Sequence, residues 1–398
     1  MVNVGIDLHK TQFTTCARIG GGEIFNIYPT TKEGYQGFLG AAARWREMGE
    51  GVRVAVESMG NTRYFKNRLE EAGIGVTVIN PLKMKVISES VKKTDKHDAA
   101  TIAEFLEADM LPQSRLCSRE SEKLRRLLRV RKGLVSGEVS VKNQIHAMLT
   151  AEGMEDAKGS LQSKRGRKQV LDALNQCENE LEAQTLFDIL ERQEESVKMV
   201  EKQLRLIMKG NRTVELLMTI PGCGEICAWT IVAYTDDIKR FASPKKYASF
   251  AGLAPWVQNS NERVHHGGIT KRGPKELRTA LVQIVMGMRR MKAKTITWRM
   301  MQRYELLKRN KCSGNAIIAT ARKVAVIIWH MLNGNNVFDV GKVSDPKTAK
   351  KAGHMSKAMG GKAGDIHIEQ QEKPVKARSS RKDVKKSGVA RERKRKVG

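Results

Sequence analysis

With 72 Lys and Arg against 43 Asp and Glu in 398 residues, the chain carries a net charge of +29 and a pI near 10.0. That balance points to a polyanionic partner, nucleic acid ahead of a membrane surface. Its six scattered cysteines, of which only Cys223 and Cys227 lie close together, exclude a disulfide framework or a zinc site and read as reduced thiols. No apolar stretch approaches the roughly 20 residues of a membrane span. The longest, 324–332, is broken by His330 and reads as a buried helix, and an acid at position 7 argues against a signal peptide.

In chain order, residues 1–112 alternate strand and helix. Strands are predicted at 2–8, 13–19 and 23–28, with Gly20-Gly21-Gly22 as the second turn. A helix follows at 31–48, a strand at 52–56, a helix capped by Asn61 and running to Ala72, and a strand at 75–80 stopped by Pro81. Asp7 ends the first apolar run and Glu57 the fourth strand. Asp95 and Asp98, three apart in Lys93-Thr94-Asp95-Lys96-His97-Asp98, open a helical stretch and project from one face. Alone, each acid reads as a turn residue or a helix cap. Together, two carboxylates on strand ends and two on a helix face make the all-oxygen set that Mg²⁺, or Mn²⁺ in its place, prefers. In a chain this basic, the set suggests metal-assisted phosphoryl transfer on nucleic acid.

Residues 113–210 become helical. Leu124, Leu127, Leu134, Val141, Ile145 and Met148 follow a 3/4 spacing that Arg131 and Glu138 interrupt. Leu186, Leu190, Val197, Val200, Leu204 and Ile207 do the same around Gln193. Such stripes bury against a partner helix and offer a means of forming a homo-oligomer, dimer or tetramer. Between them, the basic stretch 158–168 reads as a loop, either solvated or against a phosphate backbone.

Residues 211–335 open with Ile220-Pro221-Gly222-Cys223-Gly224. A Gly-x-Gly turn entering a helix exposes N–H groups that can hold a phosphate, as in a helix-hairpin-helix element, or simply lets two helices turn closely. A polar, glycine-rich loop, 250–261, then carries Ser260, and Lys271 and Arg272 form a basic turn suited to phosphate contact. The last stretch, 341–398, holds 18 Lys and Arg against 6 Asp and Glu and almost no branched or aromatic apolar residues, so it is expected to be a disordered basic tail. Without that excess of 12 the remainder still stands at +17.

Five segments carry a family resemblance. Val4-Gly5-Ile6-Asp7, Val56-Glu57-Ser58-Met59-Gly60, Lys93-Thr94-Asp95-Lys96-His97-Asp98-Ala99, and Gly252-Leu253-Ala254-Pro255 with Gly267-Gly268-Ile269-Thr270-Lys271-Arg272-Gly273 together resemble the DEDD insertion-sequence transposases. That family also includes Piv-type DNA invertases. Each segment alone is common; their order and spacing from the first strand to about residue 335 are specific.

The resemblance implies an RNase H-like, RuvC-like α/β domain (1–112), a helical coiled-coil linker (113–210) and a C-terminal helical transposase domain (211–335). The metal ligands carried over are Asp7, Glu57, Asp95 and Asp98, and the nucleophile is Ser260. Where the family commonly has Ser-Gly, this chain reads Asn259-Ser260-Asn261. Asparagine tolerates positive φ, so the turn is expected to survive. The implied partners are DNA and a structured guide RNA from the element itself, in the bacterial cytoplasm, on the nucleoid. Two other classes fit the same acids: a metal-dependent nuclease such as a junction resolvase, in which water attacks, and a nucleic-acid-binding protein with structural carboxylates.

Overall fold

The computed structural model describes residues 1–87, 94–154, 160–177, 180–260 and 263–344. Residues 345–398 of the expected basic tail, and Asn261, lie outside the described residues; the tail's first residues, 341–343, belong to a short helix.

β1 (Val2–Leu8) is the middle strand of a five-stranded sheet of order β3-β2-β1-β4-β5. β2 (Gln12–Ile19) and β3 (Gly22–Pro29) form an antiparallel meander with it, while β4 (Val52–Glu57) and β5 (Gly75–Ile79) run parallel to it. Gly20 and Gly21 turn β2 into β3 with φ of 56° and 84°, the twist a two-residue hairpin needs.

Alternate residues of β1 face two different cores. Val2, Val4, Ile6 and Leu8 pack with Tyr35 and Phe38 of α1 (Lys32–Glu47) and with Phe65 and Leu69 of α2 (Thr62–Glu71). On the opposite face Ala99 and Ala103 of α4 (Asp95–Glu107) close over β1 beside Cys16. There Ala55 and Ile79 meet Met84 of α3 (Pro81–Ile87) and Ile102 and Leu106 of α4. Cover on both sides explains why β1 reads as a nearly unbroken apolar run. A Cβ on Gly5 would overlap the carbonyl oxygen of Ala99 and the amide nitrogen of Ala103, so glycine is what lets α4 lie directly on the strand.

α5 (Arg119–Ala151) and α7 (Glu180–Met208) pack along one another, with α6 (Lys164–Asn175) at one end. Val141, Ile145 and Leu149 meet Val170, Leu174, Phe187 and Leu190 there. At the other end Leu124, Leu128, Leu204 and Met208 merge into the C-terminal core. The charged interruptions of the heptads are paired within the chain, while the Gln193 side-chain oxygen is buried without a hydrogen-bond partner. Arg131 Nε lies 2.7 Å from Glu201, Lys142 sits 3.8 Å from Glu138 and 3.3 Å from Glu194, and Gln193 packs on Gly137. The seam expected to face a second copy is therefore filled by the chain's own helix pair, and the heptads lose their force as a reason for oligomerisation. The expected basic loop is also corrected in part. Ser163 caps α6, accepting from Gly166 N at 3.0 Å, so 164–168 is helical, and Arg167 donates to both Glu194 oxygens at 2.6 and 2.8 Å.

The third region comprises α8 (Arg212–Met218), α9 (Glu225–Thr235), α10 (Pro244–Phe250), a hairpin of β6 (Pro255–Ser260) and β7 (Arg263–Ile269), then α11 (Lys275–Arg290), α12 (Lys292–Thr295), α13 (Arg299–Asn310), α14 (Ser313–Asn333) and α15 (Val340–Val343). α14 runs well beyond the apolar stretch read from the sequence and is long and apolar enough to cross a membrane by composition. It buries Ala316, Thr320, Ala321, Val324, Ala325 and Ile328 and packs against α8, α10, α11 and α13, as a core helix does. Asp236, at the C-terminus of α9, joins this region to the start of α5. Its carboxylate accepts from Ser118 Oγ at 2.6 Å and Ser121 Oγ at 2.8 Å, with Arg115 at 3.3 Å.

Candidate metal centre and serine hairpin

Sheet register sets the first half of the site. Ile6 pairs with Val56, so Asp7 and Glu57, the next residues, stand side by side on adjacent parallel strands. Both belong to the face that α4 covers, as the bond from Arg53 Nε to Asn3 Oδ1 (3.0 Å) shows for the residues four positions earlier. The start of α4 then meets that face. Thr94 caps the helix, its hydroxyl accepting from His97 N at 3.2 Å. Asp95 is thus not the cap, and its carboxylate is left for other work. Asp95 and Asp98 occupy the first turn, where the helix dipole favours negative charge.

The group that converges among the described residues holds two of the four expected acids, Asp7 and Asp95, with a residue absent from the sequence-based set; Glu57 and Asp98 are not part of it. His9 Nε2 lies 3.0 Å from Asp7 Oδ2 and 3.5 Å from Asp95 Oδ1. One ligand atom from each of Asp7, His9 and Asp95 falls within 4.8 Å of the others. The Asp7 side chain is 13% exposed, His9 44% and Asp95 48%, so the cluster opens to solvent on the helix side. Burial raises the pKa of Asp7; His9 opposes this, while Asp95 and Asp98 push it higher. Burial lowers that of His9, but the field and hydrogen bond of Asp7, with Asp95 behind, outweigh it and leave His9 raised. A buried carboxylate held beside other acids, as Asp7 is, is what a divalent cation relieves. The donors fit such an ion: hard carboxylate oxygens of the type Mg²⁺ and Mn²⁺ take, plus one imidazole nitrogen.

The N-terminus of α2 braces both strand ends. Asn61, expected to cap this helix, makes no capping bond; its Nδ2 donates to the His9 carbonyl at 2.9 Å. Thr62 Oγ1 accepts from Met59 N at 2.7 Å and donates to the Glu57 carbonyl at 2.8 Å. The only sequence signal for His9 was its place two residues beyond Asp7, on the same side of an extended chain.

Ser260 is the last residue of β6 and pairs with Arg263, whereas Pro255 at the other end pairs with Ile269. The loop expected at 250–261 is therefore half strand, and its serine lies at the tip of a hairpin. The two glycine-rich segments clamp the hairpin's base. Thr270 N donates to Ala254 O at 2.9 Å and Lys271 N to Gly252 O at 3.2 Å. Lys271, Gly252 and Gly273 have φ of 54°, 70° and 125°. A Cβ on Gly273 would overlap the Phe250 carbonyl, and one on Gly252 would lie 2.8 Å from the Arg272 carbonyl oxygen. Lys271 and Arg272 are exposed beside this clamp.

Gly222, in the turn between α8 and α9, has φ 86°; a Cβ there would come within 2.7 Å of Ile284 O on α11. Close packing by itself accounts for that glycine. Gly224 is the exposed N-cap of α9, with open space where a Cβ would stand.

Two family models match the chain, in order. A DEDD transposase model of the IS110 kind matches residues 4–153, and one described as Transposase IS116/IS110/IS902 family matches residues 214–301. The chain is similar to a probable family 20 transposase of Pseudomonas aeruginosa, 27% identical over 301 residues, covering 72% of this chain and 86% of that protein. It is 26% identical over 292 residues to the transposase for insertion sequence element IS1111A of Coxiella burnetii, covering 72% and 79%. A pilin gene-inverting protein of Moraxella bovis is 26% identical over 274 residues, covering 66% and 74%.

Proposed function

The chain belongs to the IS110-type DEDD transposases, enzymes of DNA recombination, and on that premise we propose that it cuts and rejoins DNA through Ser260 with a divalent cation, Mg²⁺ or Mn²⁺, guided by a structured RNA. The observation that carries the metal half is the convergence of Asp7, His9 and Asp95, with Asp98 close enough to act on Asp7. Asp7, Asp95, Asp98 and Glu57 would hold the ion, His9 bridging two of them. When bound, such an ion polarises a phosphate and offsets the charge that builds on it during transfer.

The rest of the chemistry belongs to the chain. A serine hydroxyl is a weak nucleophile at neutral pH and needs such a site to act. The Ser260 oxygen bonds to phosphorus as the bond from phosphorus to the 3′ oxygen breaks. The hydroxyl proton leaves the serine, and the 3′ oxygen departs as a hydroxyl. One phosphodiester becomes one phosphoserine ester on a 5′ end, which a second 3′ hydroxyl attacks to rejoin DNA and return the proton to Ser260. No ATP is consumed, because one ester replaces another.

In this reading residues 1–112 supply the metal site, 113–210 the helical linker and 211–335 the serine, while Gly222, Gly224, Lys271 and Arg272 touch nucleic-acid backbone. The site is composite, and a dimer or tetramer would let one copy's serine serve another's acids. The similarity to a pilin gene-inverting protein favours a second reading, inversion of a DNA segment by the same chemistry.

The test is strand cleavage on DNA spanning the element's ends, with RNA that co-purifies with the protein. Asp98→Asn is expected to abolish Mg²⁺-dependent cleavage, and Ser260→Ala to abolish cleavage and joining alike. A junction-resolvase activity would survive Ser260→Ala, and that result would remove the serine from the mechanism. Sequencing of the co-purifying RNA decides the guide: a single structured species supports it, and bulk cellular RNA counts against it.

A further inference from the structure

An open trough of about 1720 Å³ runs between α13, α14 and the base of the β6–β7 hairpin. We propose that it holds a single-stranded stretch of nucleic acid, with phosphates on its cationic walls and bases against its apolar floor. The proposal rests on the reading of the chain as an enzyme acting on nucleic acid, and adds where and in what form a strand is held.

The volume exceeds the roughly 300–1,000 Å³ of a small-molecule pocket. Lys271, Arg299, Arg303, Lys311, Arg322 and Lys323 line it, all exposed, and none forms an ion pair with a carboxylate among the described residues. Some cations elsewhere are matched, as Arg131 is by Glu201 and Arg167 by Glu194; what marks the trough is that six unmatched ones line a single concavity. Among the described residues the one acid lining the trough, Asp339, has Lys342 beside it at 3.9 Å. Six cations without counter-charge call for a polyanion. The chain's own tail does not answer that call, since its 18 Lys and Arg outnumber 6 Asp and Glu.

The floor separates single strand from duplex. Leu306, Leu307, Ile318, Val326 and Ile327 lie between the cations. A duplex keeps its bases stacked inside and offers such a surface only backbone, whereas a single strand can lay base faces on it. Location ties the trough to the serine. Gly267, Gly268 and Ile269 of β7 form one end of it, and β7 pairs with the strand that ends at Ser260. A strand in the trough would meet the hairpin at its base, five residue steps or roughly 17 Å of extended chain from that serine.

The test is fluorescence anisotropy on the full-length protein over a range of salt. The probes are a thymidine homopolymer and a uridine homopolymer of about 20 nucleotides, a DNA duplex of that length, and a polyglutamate peptide. In the double variant Arg303→Gln/Arg322→Gln, the slope of log affinity against log salt is expected to fall by about 1.4 for single strands, from two lost phosphate contacts, and to stay unchanged for the duplex. Arg303→Lys/Arg322→Lys should keep the wild-type slope, which guards against a folding defect. Loss confined to one homopolymer identifies the strand as DNA or RNA.

Unchanged single-strand slopes overturn the proposal. So does equal loss on the duplex, and so does loss confined to polyglutamate, which would reassign the trough to an acidic protein. The readout is binding, so its failure leaves the recombination reading standing, and failure of strand joining leaves these slopes unaffected.

Discussion

The carbonyl oxygen of Ala99 occupies the space a Cβ on Gly5 would take, so the first half of the site depends on one missing methyl group. That contact seats α4 on β1 and brings Asp95 to within reach of Asp7 and His9. Gly5→Ala would have to push α4 away from backbone atoms that cannot rotate aside. We expect a cost of roughly 1–3 kcal/mol or more, read as a lower urea midpoint, together with loss of any Mn²⁺-induced rise in Tm. A variant that keeps both would show that α4 need not touch the strand.

His9 stands between two carboxylates and Asn61 holds its carbonyl. Metal-supporting groups of this kind are worth about 10- to 100-fold in affinity. His9→Ala should weaken Mn²⁺ binding by that order in calorimetry, and Asn61→Ala should weaken it less, in the same direction. Unaltered affinity in His9→Ala would make the histidine a bystander.

Glu194 links three elements. Arg167's hydrogen bonds hold its carboxyl below the ordinary 4.5 against the cost of burial, with Lys142 adding to them. A folded-state pKa below the unfolded one gives stability that is complete above 4.5 and is lost as pH falls through the folded value. Glu194→Gln should therefore cost about 1–3 kcal/mol at neutral pH, with the gap in urea midpoint closing on acidification below 4.5. A gap constant from neutral to acid pH would contradict the assignment.

Asp236 has φ 60° and ψ −86°, a backbone few side chains accept, yet its carboxylate gathers Ser118, Ser121 and Arg115. Asp236→Ala is expected to cost about 2–4 kcal/mol. Asp236→Gly, which relaxes the backbone, should cost about 1 kcal/mol less. Chemical denaturation of the two variants checks the order; the reverse order would mean the backbone is unstrained.

The placement of Asp7 and Glu57 was legible because strands end where apolar alternation ends, and that of Asp95 and Asp98 because both fall in the first turn of one helix; that Asp7 and Asp95 converge while Glu57 and Asp98 stay outside the group was not. His9 was not, since a single histidine two residues past an aspartate carries no periodic signal; only the sheet and α4 together give it two carboxylate neighbours. The β6–β7 hairpin was hidden for another reason. Gly267, Gly268, Asn259 and Ser260 dilute the branched residues that mark a strand, and its pairing is fixed by the Gly252–Lys271 clamp, a contact distant in sequence. The heptads announced a seam correctly, but 3/4 spacing cannot distinguish the chain's own helix from a second copy's.

The joining of a metal-holding acidic cluster to a covalent serine is tested most directly by mass spectrometry of the denatured protein after reaction with element-end DNA and Mg²⁺. The tryptic peptide 247–263 contains Ser249 and Ser260. The expected result is a nucleotide phosphoester on Ser260, present with the wild type and absent from Ser260→Ala and Asp98→Asn. Cleaved DNA with no adduct on that peptide, or an adduct that persists in Ser260→Ala, would contradict the mechanism.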